Sequence, residues 1–213
     1  MQLEKERAEK ISGILSEKYP VPETALDYKT PFQLLIATIL SAQTTDTQVN
    51  KVTSDLFEKY SRPQDFAELE VETLSEEIKS IGLHRSKSEY IIESSRMIID
   101  EFEGEVPRSF DDLLKLNGVG RKTASVVIYA AFSRPAFPVD THVFRVSRRL
   151  GLADGKNPEK VEEQLKELFP EDDWGDMHHR LIYHGREVCK ARSPDCSSCQ
   201  LQDFCDYFKN HFK

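Results

Sequence analysis

The chain has 213 residues, 38% of them hydrophobic and 31% charged, with a formal net charge of −8. That is enough apolar material for one large domain or two small ones, and it excludes an intrinsically disordered chain. No run approaches the roughly 20 apolar residues that a membrane span needs. The charged start, MQLEKERAEK, has no apolar stretch of the kind a secretory signal carries, so the sequence predicts a cytoplasmic protein with no membrane partner.

Along the chain, apolar residues recur at three- and four-residue spacing, and no segment alternates with period two. LEKERAEKISGILSEKY predicts an amphipathic first helix. PFQLLIATILSAQ opens with Pro31 at a helix start and is apolar on most faces, which predicts burial. TDTQVNKVTSDLFEKY offers Thr45 or Asp46 as N-cap, and SKSEYIIESSRMIIDEF and RKTASVVIYAAF continue the helical pattern. DTHVFRVSRRLGL has Asp140 as N-cap and Gly151 as terminating glycine; NPEKVEEQLKELF begins on Asn157 as cap and Pro158 as first helical residue. The expected fold class is all-α, about ten helices joined by short loops at Pro and Gly. A faint repeat lays IKSIGLHRSKSEYII (78–92) over LKLNGVGRKTASVVI (114–128), with Gly82 on Gly118, Arg85 on Arg121 and Ser86 on Lys122.

Residues 121–149 hold Arg121, Lys122, Arg134, Arg145, Arg148 and Arg149 against a single acid, Asp140. An acidic chain thus concentrates positive charge beside LNGVGRKTA, as a local nucleic-acid face does. Gly118 and Gly120 permit positive φ and leave backbone amides unshielded. With the N-terminus of the following helix, those amides make a site for one phosphate that ignores base sequence. An ordinary αα corner is the plainer alternative. Lys122 sits at a helix start, beside Arg121, with apolar residues after it. Each effect favours the neutral amine, and a neutral amine is a nucleophile.

All four cysteines lie near the C-terminal end, as Cys189-x6-Cys196-x2-Cys199-x5-Cys205. In a cytosolic chain such a cluster points to a metal rather than a disulfide framework. Four thiolates suit zinc or an iron–sulfur cluster. Lys190 and Arg192, between the first two cysteines, can meet phosphates or belong to a solvated loop. A cluster here would tie the C-terminus to the fold and predicts a second domain built from both chain ends.

These motifs carry a family resemblance. LNGVGRKTA resembles the helix-hairpin-helix of the endonuclease III superfamily of DNA glycosylases, with Asn117 where a proline often precedes the first glycine. FPVDTHVFRVSRRLGL resembles the loop and Asp that follow it there, and PFQLLIATILSAQTTD the early buried helix. The cysteine spacing is similar to that group's [4Fe–4S] signature. The likeness spans about residues 25–207. It implies two helical domains with a DNA cleft between them: a six-helix barrel with the hairpin over 24–134, and a discontinuous [4Fe–4S] cluster domain from 1–23 and 135–213.

It also implies site residues. Lys122 corresponds to the catalytic lysine and Asp140 to an essential aspartate that stabilises positive charge on the sugar and aids proton transfer; a simple N-cap is the alternative for Asp140. Gln43 and Leu83 fall at DNA-facing tips that fill the gap left by a flipped base. A polar helix end and a core contact are the respective alternatives. Gly118, Gly120 and Arg121 would hold a phosphate, and His142 would donate to one or be a satisfied buried histidine. Cys189, Cys196, Cys199 and Cys205 would hold the cluster.

The implied function is a base-excision-repair bifunctional DNA glycosylase/AP lyase. It would be monomeric and nucleoid-associated, removing oxidised pyrimidines from damaged duplex DNA. The alternatives are a glycosylase for uracil or thymine opposite guanine, a non-catalytic helix-hairpin-helix DNA-binding protein, and a zinc structural protein.

Overall fold

A computed structural model describes residues 2–212. Among them are twelve α-helices, two 3-10 turns and no strand. The surplus over the expected ten lies in helices of four to seven residues, too short to show a hydrophobic period. No helix among the described residues is long and apolar enough to cross a membrane. The chain divides into two compact units: Ala25–Arg134, and Met1–Thr24 together with Pro135–Lys213.

The Ala25–Arg134 unit contains α2 (Pro31–Ser41), α3 (Asp46–Lys59), α4 (Pro63–Ala67), α5 (Val71–Glu77), α6 (His84–Glu101), α7 (Phe110–Leu113) and α8 (Arg121–Phe132). Helix α2 is its axis. Thr30 Oγ1 accepts the Gln33 N–H at 3.2 Å, Pro31 fills the first helical position, and every residue from Phe32 to Leu40 is buried. Four of these, Leu34, Leu35, Ile36 and Leu40, are fully enclosed, each contributing about 1.5–3 kcal/mol by burial. Helices α3 and α8 pack on α2, and α4 and α5 on α6. Helix α8 buries Ala124–Ile128, so the residues at its start are fixed by the core behind it. Helix α3 is capped by Thr45, whose hydroxyl accepts the Gln48 N–H at 3.3 Å, and not by Asp46.

The second unit contains α1 (Gln2–Lys18), α9 (Thr141–Leu150), α10 (Pro158–Leu168), α11 (Trp174–Glu187) and α12 (Asp206–Phe212). Ala8, Ile11 and Leu15 of α1 share a core with Val143, Val146, Leu165, Met177 and Leu181. The chain ends are stitched by Arg7, which donates to the carbonyls of Leu150 and Phe204 and pairs with Asp206 at 2.9 Å. Gly151 ends α9 at φ 71°, and a Cβ there would collide with the Asp206 carboxylate and the Arg7 guanidinium. The glycine therefore serves two requirements, the left-handed turn and the close approach of this ion pair.

Candidate nucleic-acid and catalytic site

The hairpin before α8 is less symmetric than its sequence predicts. Its first arm, α7, is a single turn. Gly118 has φ +75°, and a Cβ on it would come within 2.9 Å of the Tyr90 side chain. The first glycine is thus required by backbone geometry and by the Tyr90 ring of α6. Gly120 differs: it is the N-cap of α8 at φ −93°, and a methyl group added to it would meet nothing within 4 Å. Both glycines are exposed, and neither amide has a hydrogen-bond partner among the described residues. The turn therefore presents two open N–H groups beside a helix N-terminus, the arrangement that binds an anion. Arg121 lies with its guanidinium 5.0 Å from the Phe110 ring centroid. Lys122 is the second residue of α8 and is exposed, so burial does not withdraw its amine from water as the sequence pattern predicts.

Asp140 begins α9 in the other unit. Its Oδ1 accepts the Val143 N–H at 2.8 Å, so the carboxylate is an N-cap, and capping leaves the second oxygen available. His142, half-buried, faces Arg145. The guanidinium can only donate, so at 3.1 Å from Arg145 Nη2 the His142 Nδ1 is the acceptor and the ring proton sits on Nε2. Burial, then the charges of Arg145 and Arg186, push the ring below its ordinary pKa against the pull of Asp140. His142 is consequently a neutral donor.

The basic window from 121 to 149 is not one exposed face. Arg145 Nε donates to Cys189 O at 3.0 Å, and its Nη2 to Gly185 O at 2.9 Å. Arg149 donates to Lys190 O at 2.7 Å and Ala191 O at 3.1 Å. Arg134 donates to Arg108 O, and Arg148 stacks 5.3 Å from the Phe144 ring. A charge count suggests a nucleic-acid patch, whereas Arg145 and Arg149 anchor the carbonyls of the first cysteine loop. Lys190 and Arg192, on that anchored loop, are exposed.

Gln43 and Leu83 share an unusual feature. Both are exposed, Leu83 by 62%, and both hold φ 59°. A left-handed non-glycine residue costs roughly 1–3 kcal/mol, and such residues gather at functional sites. Leu83 is also the N-cap of α6 without a capping side chain. Its apolar side chain is therefore held out in water, not packed in the core. One residue that the sequence pattern did not single out connects this region: Lys87, 3% exposed, donates from Nζ to Leu40 O at 2.8 Å and Ala42 O at 2.6 Å. The signal was present, since Lys87 falls one turn before Ile91 on the buried stripe of α6.

The four cysteines line one pocket, part of it open to solvent, with apolar walls from Leu150, Val188, Tyr207 and Phe208. Among the described residues no three His, Cys, Asp or Glu side chains converge closely enough for a single metal ion. Four cysteines lining one pocket are the donor set of a polynuclear iron–sulfur cluster, whose ligands stand farther apart than those of tetrahedral zinc. Burial pushes the Cys199 and Cys205 thiols up, and a cationic iron core would supply the charge that makes them thiolates. His184 is buried with Nε2 3.7 Å from Cys199 Sγ, a neighbour that the sequence did not disclose.

Comparison with known proteins agrees with this geometry. The HhH-GPD superfamily of base excision DNA repair proteins matches residues 36–171, which include both hairpins, Lys122 and Asp140. The iron-sulfur binding domain of endonuclease III matches residues 189–205, from the first cysteine to the last. Fold and motifs together define an HhH-GPD DNA repair protein. The chain is 50% identical to endonuclease III of Bacillus subtilis (strain 168) over 90% of its own length and 88% of the relative's. It is 48% identical to endonuclease III of Escherichia coli (strain K12) over 91% and 92%. A trapped endonuclease III–DNA covalent intermediate superposes with a TM-score of 0.94 at 45% identity, over 98% of this chain and 99% of that one. A thermostable thymine-DNA glycosylase superposes with a TM-score of 0.88 at 27% identity, over 99% and 100%.

The chain belongs to the endonuclease III family. It is a DNA-binding base excision repair glycosylase with AP lyase activity and carries a [4Fe–4S] cluster.

Proposed function

We propose that this enzyme removes oxidised pyrimidines from damaged duplex DNA with Lys122 as nucleophile, acting as a monomer at the nucleoid in the cytoplasm. The observation that carries the reading is the start of α8, where an exposed lysine follows two open amides by two residues. A phosphate held by Gly118 and Gly120, with Arg121 beside it, would hold one strand next to the amine. Lys122 Nζ attacks C1′ of the deoxyribose as the C1′–base bond breaks and the base leaves with its electron pair. The proton lost by nitrogen passes to O4′ as the C1′–O4′ bond breaks with its electron pair on oxygen, and the nitrogen lone pair closes the protonated Schiff base. Its positive charge acidifies the C2′ hydrogen, and loss of that proton expels the 3′ phosphate by β-elimination, cutting the strand. Asp140 would keep a carboxylate near the positive charge that develops on the sugar and take part in the proton transfers. His142 Nε2–H would donate to a phosphate, and Lys190 and Arg192 would contact the backbone farther along. Gln43 and Leu83 would fill the space of the flipped nucleotide.

In this reading Ala25–Arg134 is the barrel domain with the hairpin, and the two chain ends form the cluster domain. Cys189, Cys196, Cys199 and Cys205 would hold the cluster, which supplies a structural brace for the loop. The donor set has no spare position for substrate. Borohydride trapping over a panel of lesion duplexes tests the assignment: oxidised pyrimidines should be trapped and Lys122→Ala should trap none. A panel in which only thymine or uracil opposite guanine reacts would replace the lesion class, and equal trapping by Lys122→Ala would remove Lys122 from the role.

A further inference from the structure

Lys87 belongs to no part of the mechanism above, yet it is the most deeply buried cation among the described residues of the Ala25–Arg134 unit. An ammonium in that environment needs partners. It has found two backbone carbonyls, Leu40 O and Ala42 O, at the C-terminal end of α2. These are orphan carbonyls of a helix end, where a cation is favoured. The turn they introduce is held weakly by its own bonds: Ala42 N–H reaches Ile39 O at 3.4 Å, Thr44 N–H reaches Ser41 O at 3.1 Å, and the buried Thr44 hydroxyl has no partner. Gln43 follows Ala42 directly, at φ 59°. At the other end of the side chain, the Lys87 backbone N–H donates to Leu83 O at 3.0 Å. One residue therefore grips the carbonyl before Gln43 with its side chain and the carbonyl of Leu83 with its amide. A second link, Gln48 Nε2 to Ser80 Oγ at 2.8 Å, joins the first turn of α3 to the α5–α6 turn at the surface.

We propose that Lys87 is a positioning residue that couples the two tips, so that Gln43 and Leu83 enter the DNA together. The inference rests on the reading of Gln43 and Leu83 as gap-filling residues. A rigid link matters because the gap opens only while a base is out of the stack, and two tips that move independently would each have to find it separately. The charge also makes the link selective. An apolar side chain of similar length fills the volume but leaves two helix-end carbonyls unpaired, so the turn carrying Gln43 loosens while α6 stays in place.

The test uses the full-length protein and a duplex containing thymine glycol, with 2-aminopurine next to the lesion to report loss of stacking. Lys87→Met is expected to slow single-turnover excision by roughly ten- to a hundredfold and to weaken the fluorescence rise. It should leave borohydride trapping on a single-stranded abasic oligonucleotide, which needs no gap filled, at the wild-type level. Lys87→Gln, whose shorter side chain keeps an N–H donor group without the charge, should lie between, and it serves also if Lys87→Met does not fold. The effects of Gln43→Ala and Leu83→Ala should be non-additive in the wild-type background and additive in Lys87→Met. Three results overturn the proposal. Wild-type excision by Lys87→Met while Gln43→Ala and Leu83→Ala are impaired leaves the gap-filling reading intact and removes Lys87 from it. Equal loss on duplex and single strand makes Lys87 a merely structural residue. Wild-type excision by both Gln43→Ala and Leu83→Ala removes the gap-filling reading and the coupling with it.

Discussion

In the turn between α5 and α6 the left-handed residue is Leu83, which is itself the cap of the helix it begins. In the turn between α7 and α8 the left-handed residue is Gly118, two positions before the cap, Gly120. The repeat in the sequence lays glycine on glycine and arginine on arginine, but the structure shifts the helix starts by one residue relative to that alignment: α6 begins at His84 and α8 at Arg121. The first turn accepts an unfavourable backbone in order to display a side chain. The second uses glycine to admit Tyr90, to bare two amides, and to put an amine on the next turn of helix. Two related hairpins can thus divide a task by which part of the chain they expose.

The largest test of that division exchanges the amine. Lys122→Ala should lose trapping and drop glycosylase turnover by roughly a thousandfold or more, about 4 kcal/mol of barrier. Adding Ser86→Lys should not restore trapping, because the first hairpin offers no matching pair of open glycine amides. Trapping by the double variant would mean that the hairpins are interchangeable.

Next comes the contrast between the glycines. Gly118→Ala should lose about 2–3 kcal/mol in urea denaturation, from the left-handed backbone and the clash with Tyr90. Gly120→Ala should lose under about 1 kcal/mol, the cost of a poorer cap, while weakening DNA binding in a salt-dependent way. Equal destabilisation by the two would erase the distinction drawn between them.

A smaller effect carries opposite signs in two assays. Leu83→Gly should stabilise the free protein by up to about 1 kcal/mol, since glycine accepts the left-handed conformation, and should slow excision about tenfold, since the exposed leucine is gone. Thermal melting and single-turnover kinetics on one preparation would check both. A less stable variant would show that the Leu83 side chain packs in the free protein after all.

The smallest effect lies outside both turns. Because burial pushes His142 down, the folded ring binds a proton only at lower pH than the unfolded ring, whose value is about 6.5. Below that value the unfolded state holds more protons, so stability falls as pH falls and is fully present above it. Between pH 7.5 and 5.5, His142→Gln should lose less stability than the wild type. Identical losses would show that the ring titrates normally.

Much of this molecule could be read in the chain because its signals are local. Pro31 after Thr30, Pro158 after Asn157 and Gly151 after Leu150 each mark a helix end through chemistry confined to one turn. The cysteine spacing and the LNGVGRKTA hairpin were legible for the same reason. What escaped depends on partners distant in sequence. A lysine in HRSKSEYII looks solvated until the carbonyls of Leu40 and Ala42, more than forty residues away, are in view. Arg145 and Arg149 looked like DNA contacts because a count of charges does not reveal whether a guanidinium faces water or a carbonyl. Leu83 is left-handed although nothing in IGLHR requires it, because Gly82 is the residue local preference would choose.

The second unit, joined from both ends of the chain, also has a consequence in time. A ribosome extends the chain from its N-terminus, and domains close in the order in which they emerge. Helix α1 is made before Ala25–Arg134 but meets α11 only after the whole of that unit has been made, and Arg7 finds Phe204 and Asp206 only once residues 135–206 have followed. All four cysteines emerge after the whole of Ala25–Arg134. The hairpin-bearing unit can therefore be folded on the nascent chain while α1 remains unsatisfied, so loading of iron and sulfide comes after that unit is complete. A chain stalled before Cys189 would keep its lysine and lack the means to finish its other half.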